Sequence, residues 1–291
     1  MARPERYKVL NHLLKKHPMD AAPKLIDIVA AETAIALFKC GADEAEEFAE
    51  LHHDYFLENL IAEIDTAESD ARPTRVALNS SSSDLLQGSS FEEGVSDPNS
   101  IAKKRRLLLD ETADFLRNVS WEDFEACCKG ILDVLGCPDA AVTRSGNDQG
   151  IDFFGILPLK GRLANQSFLP SLDANLNVWM VGQAKHYTKT KVSTPDLREL
   201  VGSVQLARAK ASADGGVALK DLNMRVCDPV FYLFFTTGRI SADGRKLLKQ
   251  SGMVAMDGQQ IAAYLADNEV GHVSGAFDSA AANAWIDGHK S

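Results

Sequence analysis

The chain lacks any apolar run approaching the roughly 18 residues that a bilayer-spanning helix requires. Its first residues, Met1 to Lys8, are too charged to lead into a signal-peptide core. A cytoplasmic protein with no membrane association is therefore expected. The five cysteines, Cys40, Cys127, Cys128, Cys137 and Cys227, form no CxxC pair and stand at no zinc-ligand spacing from a histidine. They read as reduced structural thiols. No helix-turn-helix or zinc-finger pattern is present, so nothing announces a base-reading element.

What is present begins with size. A length of 291 residues suits two domains, and 45% hydrophobic with 25% charged residues is ordinary for a globular chain. Net charge is -10, from 31 basic and 41 acidic residues, but the imbalance is local. Residues 1–100 hold 9 basic and 19 acidic side chains, whereas residues 101–291 hold 22 of each. Phosphate binding depends on local cations rather than on the total, so a polyanionic partner remains compatible with the C-terminal half. The N-terminal half does not suit one.

Residues 1–71 read as a helical unit: Tyr7 to Lys16, Ala22 to Cys40 stopped by Gly41, and Ala42 to Ala67, where Leu51, Tyr55, Leu60 and Ile64 recur at near-helical spacing. The segment has no strand-like alternation, glycine-rich loop or clustered metal ligands. A role in binding a partner or signal, or in oligomerisation, fits it best. His52 and His53 are adjacent and face different sides of a helix, which suits packing or solvent rather than a metal. Residues 72–100 are rich in Ser, Asp, Gly and Pro, including NSSSSD at Asn79 to Asp84, and read as a linker or irregular loop. A helix over Ile101 to Val119 opens with Lys103, Lys104, Arg105 and Arg106, either a solvated face or a phosphate contact.

From Ser120 the pattern mixes. Ser120 and Asp123 predict a capped helix over Trp121 to Leu135, ended by Gly136. Strand-like runs follow at Ala140 to Arg144, Ile151 to Leu157 and Val178 to Ala184. Pro195 in a first turn predicts a helix from Thr194 to about Ala213. Then come a strand at Val230 to Phe235, a helix at Ala242 to Gln250, a strand at Met253 to Met256 and a helix at Gln259 to Leu265. That order is an α/β sandwich around a mixed sheet. The domain spans 101–270, and residues 271–291 form a tail without readable chemistry.

Hydrolysis of a phosphodiester near neutral pH needs a cation to offset transition-state charge and a source of hydroxide. Oxygen donors suit magnesium, a hard ion. Asp152 follows a turn at Asn147 to Gly150 and is placed to project from a strand edge. Gln183 and Lys185 are two apart on a strand and share a face, while Ala184 between them points away and can offer its backbone carbonyl. Lys185 would orient or deprotonate the attacking water, or hold a phosphate oxygen. By spacing alone, a lysine that ends its strand in solvent explains the pattern as well.

The segments around these residues, in order, are Phe124 and Glu125, SGNDQGID (Ser145 to Asp152), QAKHY (Gln183 to Tyr187), DLRELVG (Asp196 to Gly202), FFTTGRIS (Phe234 to Ser241) and the M-D-G-x-x-I of Met256 to Ile261. Over about 140 residues they resemble the Mrr-type catalytic domain of restriction endonucleases, a branch of the PD-(D/E)xK nuclease superfamily. The resemblance implies a restriction-endonuclease-like mixed sheet flanked by helices, here preceded by a small all-helical domain. It implies a Mg²⁺-dependent DNA endonuclease, with Mn²⁺ able to substitute, in restriction or anti-phage defence. Asp152, Glu125 and the Ala184 carbonyl would be metal ligands, and Asp152, Gln183, Lys185 and Glu125 the catalytic set. Ile151 stands where the superfamily's proline would be, and Gln183 replaces its second acid, a variation that the Mrr branch tolerates.

Several residues keep two readings. Asp148 suits a further ligand or a turn, Glu125 a site or a surface acid, and Ser241 a phosphate contact or a cap beside Thr236 and Thr237. His186, on the opposite strand face from Lys185, suits packing. The stretch Pro158 to Leu176, with Lys160 and Arg162, suits a substrate-contacting loop or a plain surface loop. A non-catalytic nucleic-acid-binding or assembly module with the same fold, or an RNA nuclease, is the alternative function.

Overall fold

The computed structural model describes residues 3–92, 98–143, 150–159, 176–187, 191–192, 194–209, 222–225 and 227–290. The chain divides into two compact units, Met1–Leu108 and Leu109–Ser291.

The first unit holds helices α1 (Arg6–Lys16), α2 (Ile26–Phe38), α3 (Ala42–Leu51), α4 (His53–Ser69) and α5 (Pro98–Arg105). Its core gathers Val9 and Leu13 of α1, Ile26, Ala30 and Ala34 of α2, and Phe56 and Leu60 of α4. Burying each such Leu, Ile or Phe contributes about 1.5–3 kcal/mol. The expected helix over Ala42 to Ala67 is broken at His52, whose amide bonds back to the Ala49 carbonyl at 3.1 Å. The apolar spacing runs through the break, so periodicity did not reveal it.

The helices are joined by a sheet that the sequence reading did not contain. β1 (Lys24–Leu25), β2 (Val76–Asn79) and β3 (Ser82–Gly88) pair antiparallel in the order β1-β3-β2. Two of these strands occupy part of the expected linker, 72–100. The serine-rich run is a hairpin turn: the Asn79 side chain accepts from the Ser81 amide at 2.9 Å, an Asx turn. Val76 and Leu86, almost wholly buried, join the helical core.

The second unit is a mixed α/β domain. It comprises α6 (Leu109–Asn118), α7 (Trp121–Leu135), β4 (Ala141–Val142), β5 (Phe153–Pro158), β6 (Asn177–Lys185), β7 (Lys191–Val192), α8 (Thr194–Arg208), β8 (Val230–Thr236), β9 (Arg239–Ile240), α9 (Ala242–Ser251), β10 (Val254–Met256), α10 (Gly258–Asp267), β11 (His272–Val273), β12 (Ala276–Phe277) and α11 (Ser279–Asp287). The helix expected from Ile101 divides: α5 is followed by a 3-10 turn at Arg106–Leu108, and α6 begins the second unit.

Five strands form the central sheet in the order β10-β8-β6-β5-β4, parallel across β10, β8 and β6 and antiparallel across β6, β5 and β4. Alternation along β6 divides its side chains between two cores. Val178 and Met180 face a core with Phe124 and Ile131 of α7 and Ile261 of α10. Trp179 and Val181 face another with Leu197, Leu200 and Val204 of α8 and Leu248 of α9. The sheet is covered on both faces.

Helix ends follow local chemistry. Ser120 caps α7 by accepting from the Asp123 amide, and Gly136 ends it in the left-handed conformation. Asp257 and Gln260 form a capping box on α10. The expected C-terminal tail is ordered: β11 and β12 pair, and α11 sends Ile286 into the α7 core while the Trp285 ring lies over Gly130. Small residues and few apolar ones concealed that helix from the sequence reading.

Candidate active site

The candidate residues converge where β5 and β6 meet. Asp152 immediately precedes β5, and its amide donates to the Gly182 carbonyl at 2.9 Å. Its Oδ2 then accepts the Ala184 amide at 2.7 Å. Asp152 thus brackets Gln183, with its backbone held on one side and its carboxylate on the other. Side-chain alternation slips here, because Ile151 and Phe154 belong to the same core although three residues apart, while Phe153 faces the opposite one. Such a slip re-aims a side chain at a strand end. It turns the Asp152 carboxylate along the sheet toward β6.

A strand residue sends its N–H and C=O to the same neighbour. The Ala184 N–H points toward Asp152, so its carbonyl leaves on that side too, whereas the Lys185 carbonyl faces β8, where the Thr236 hydroxyl donates to it at 2.8 Å. Thr237 continues this lock, accepting the Tyr187 amide at 2.9 Å. The two threonines therefore hold the end of β6, and Ser241 caps α9.

Gln183 and Lys185 share the face that packs on α8, as period-two geometry requires. Gln183 is 1% exposed, and its Oε1 is buried with no hydrogen-bond donor among the described residues. An unsatisfied buried carbonyl oxygen costs about 1–3 kcal/mol unless something binds it. Lys185 has 26% of its side chain exposed, with Nζ 3.6 Å from Oε2 of Glu199 on α8. Gly150, at φ +79°, closes the site from the preceding turn; a Cβ there would lie 2.8 Å from the Ser203 Oγ and 3.4 Å from the Gln183 Nε2.

Glu125 is half-buried on α7. The Cys128 thiol on the same helix is pushed well above its ordinary value, first by burial, then by the charges of Cys127, Asp152 and Glu125. Cys127, also buried, is raised to about 12. Neither thiol is a nucleophile at neutral pH. His186 packs beside the Phe124 ring, with centroids 5.9 Å apart, as its opposite-face position implies. Asp148, Lys160 and Arg162 lie outside the described residues.

Among the described residues, no three His, Cys, Asp or Glu side chains cluster to hold a metal. The donors that fit a cation here are oxygens of mixed kind: the Asp152 carboxylate, the Ala184 carbonyl and the orphaned Gln183 Oε1. That is a donor set for a hard divalent ion rather than for zinc or copper. Sequence reasoning missed Glu199, which lay within the quoted DLRELVG segment. Its signal was only its place on α8, three residues from Asp196, whose Oδ1 accepts from the Tyr187 hydroxyl at 3.4 Å.

Residues 116–217 match the Mrr_cat family model, described as a restriction endonuclease. This segment is of the Mrr type. It contains Glu125, Asp152, Gln183, Lys185 and Glu199, so the bracket around Gln183 lies wholly inside the Mrr-type segment. No curated protein matches this chain. Among solved structures, the MspJI restriction endonuclease in complex with a 27-mer oligonucleotide is 17% identical with a TM-score of 0.39, covering 69% of this chain and 40% of that one. The restriction endonuclease FokI bound to DNA is 9% identical with a TM-score of 0.33, covering 90% of this chain and 44% of that one. The chain thus spans less than half the length of either.

Proposed function

We propose that the second unit is a divalent-metal-dependent DNA endonuclease. The observation that supports this most is the bracket of Asp152 around Gln183, with Lys185 on the same strand face, inside a segment of the Mrr type. Asp152, the Ala184 carbonyl and Gln183 Oε1 would hold Mg²⁺ or Mn²⁺, with Glu125 contributing from α7. The bound ion would neutralise charge on the scissile phosphate and lower the pKa of a bound water. Lys185 would orient the attacking water or hold a phosphate oxygen, and Asp152 keeps its position through the Ala184 amide. Burial of Asp152 and Gln183 excludes bulk water from the donor atoms and strengthens their electrostatic effect.

The biological setting we propose is restriction or other anti-phage defence in the cytoplasm, with DNA as substrate. No helix among the described residues is long and apolar enough to cross a membrane. The acidic first unit would bind a partner, a signal or a second copy, and so control cleavage. Full-rate plasmid cleavage by a dilute monomer overturns that control.

The central test incubates supercoiled plasmid, single-stranded DNA and RNA with Mg²⁺ or Mn²⁺ and the wild-type, Asp152→Ala or Lys185→Ala protein. The expected result is metal-dependent plasmid cleavage by wild type alone. Cleavage surviving both substitutions overturns the site, and RNA-restricted cleavage replaces the substrate. DNA binding without cleavage under any of these conditions favours a non-catalytic module, which the neutral Gln183 would suit.

A further inference from the structure

We propose that Glu199 is a positioning residue for Lys185, supplying from α8 the negative charge that Gln183 does not supply from β6. The proposal rests on the nuclease reading above and extends it to a residue outside the expected D…QxK set.

The argument starts on α8. Leu197, Leu200 and Val204 make its buried row against the sheet. Beside that row, at helical spacing, stand Asp196, Glu199 and Ser203. Each touches the site: Asp196 accepts from the Tyr187 hydroxyl, Glu199 pairs with Lys185, and Ser203 faces Gly150. Ser203 is held by donating its hydroxyl to the Glu199 carbonyl at 2.9 Å. The Glu199 Cγ lies 3.5 Å from where a Gly150 Cβ would be, within van der Waals reach of that turn. Glu199 is thus packed between the turn that delivers Asp152 and the ammonium of Lys185.

The chemistry gives this placement a purpose. Lys185 and Gln183 share a face, and an acid at position 183 would have held the ammonium electrostatically at short range. Gln183 is neutral and its amide is buried, so that anchoring is missing along the strand. A carboxylate 3.6 Å away on the facing helix restores it. Glu199 keeps 53% of its side chain exposed, so the pair adds little to stability and can shorten when substrate arrives. Its effect is on where Lys185 points.

The experiment uses the full chain and three measurements: single-turnover plasmid cleavage, DNA binding without metal, and carbon NMR of reductively methylated lysines, with Lys185→Arg identifying the Lys185 signal. Methylation retains the ammonium charge. In Glu199→Gln the cleavage rate is expected to fall about 10- to 100-fold, the scale of a misplaced catalytic group. The DNA Kd and melting temperature should stay at wild-type values, and the Lys185 resonance should move toward that of freely exposed lysines. Glu199→Asp should recover part of the rate. A wild-type rate in Glu199→Gln, an unmoved Lys185 resonance, or a rate loss matched by a lower melting temperature overturns the proposal. If the wild type cleaves nothing, the nuclease reading fails by itself, and the Lys185 resonance alone then decides whether Glu199 positions the lysine.

Discussion

At Asp152, Oδ2 accepts the Ala184 amide while the residue is only 6% exposed. Asparagine keeps an acceptor oxygen for that amide and loses the charge. Asp152→Asn should therefore fold with a near-wild-type melting temperature yet cut plasmid at least about 100-fold more slowly, a typical cost of removing one electrostatic contributor. Comparable losses in thermal stability and rate would instead make Asp152 a structural residue. Lys185→Met retains the stem and removes the ammonium, and should reduce cleavage to a similar degree with folding preserved. The spacing of these two residues was legible in the sequence. Their partners were not, because Glu199 reaches Lys185 only through the docking of α8.

At the scale of elements, the β5–β6 pairing depends on a glycine. A Cβ at Gly182 would lie 2.2 Å from a ring carbon of Phe153, its cross-strand neighbour, and Phe153 stacks on Phe235 at 5.2 Å. Gly182→Ala should cost about 1–3 kcal/mol, the usual range for overpacking. It should also slow cleavage, since the Gly182 carbonyl anchors Asp152. Adding Phe153→Leu should recover part of both losses, and additive effects of the two substitutions in urea unfolding would refute the contact. In the first unit, His53 joins three elements: Nδ1 lies 2.9 Å from Asp27 of α2, and Nε2 lies 3.9 Å from Asp84 of β3. Its pKa is raised from 6.5, first by the Asp27 hydrogen bond and then, against some desolvation, by the charges of Asp27, Asp84 and Asp54. The stabilisation is complete below the unfolded value near 6.5 and is lost as pH rises through the higher folded value. Thermal melts between pH 6 and 8.5 should show this loss in wild type and a flatter profile in Asp27→Asn. Equal slopes in the two proteins would rule the contact out as a source of pH dependence.

At the scale of the whole molecule, each unit has its own core, one around Phe56 and Leu60 and the other on both faces of the five-stranded sheet. Removing a buried aliphatic side chain costs about 2–5 kcal/mol. Leu60→Ala and Ile286→Ala should therefore lower two different calorimetric transitions, and only Ile286→Ala should reduce the temperature at which cleavage is lost. A single transition lowered equally by both would show that the units unfold together. The sequence alone determined the mixed α/β order of the second unit, the cap of α7, and the shared face of Gln183 and Lys185, because periodicity and capping are local and survive without tertiary information. It also carried the Mrr-type resemblance. Tertiary structure decided the sheet in the first unit, whose short polar strands have too little alternation to read, and the packing of α11, whose small residues give no stripe. It decided as well that Asp152 turns onto the Ala184 amide and that Glu199 meets Lys185, since a one-residue slip and a helix dock arise only when distant segments pack.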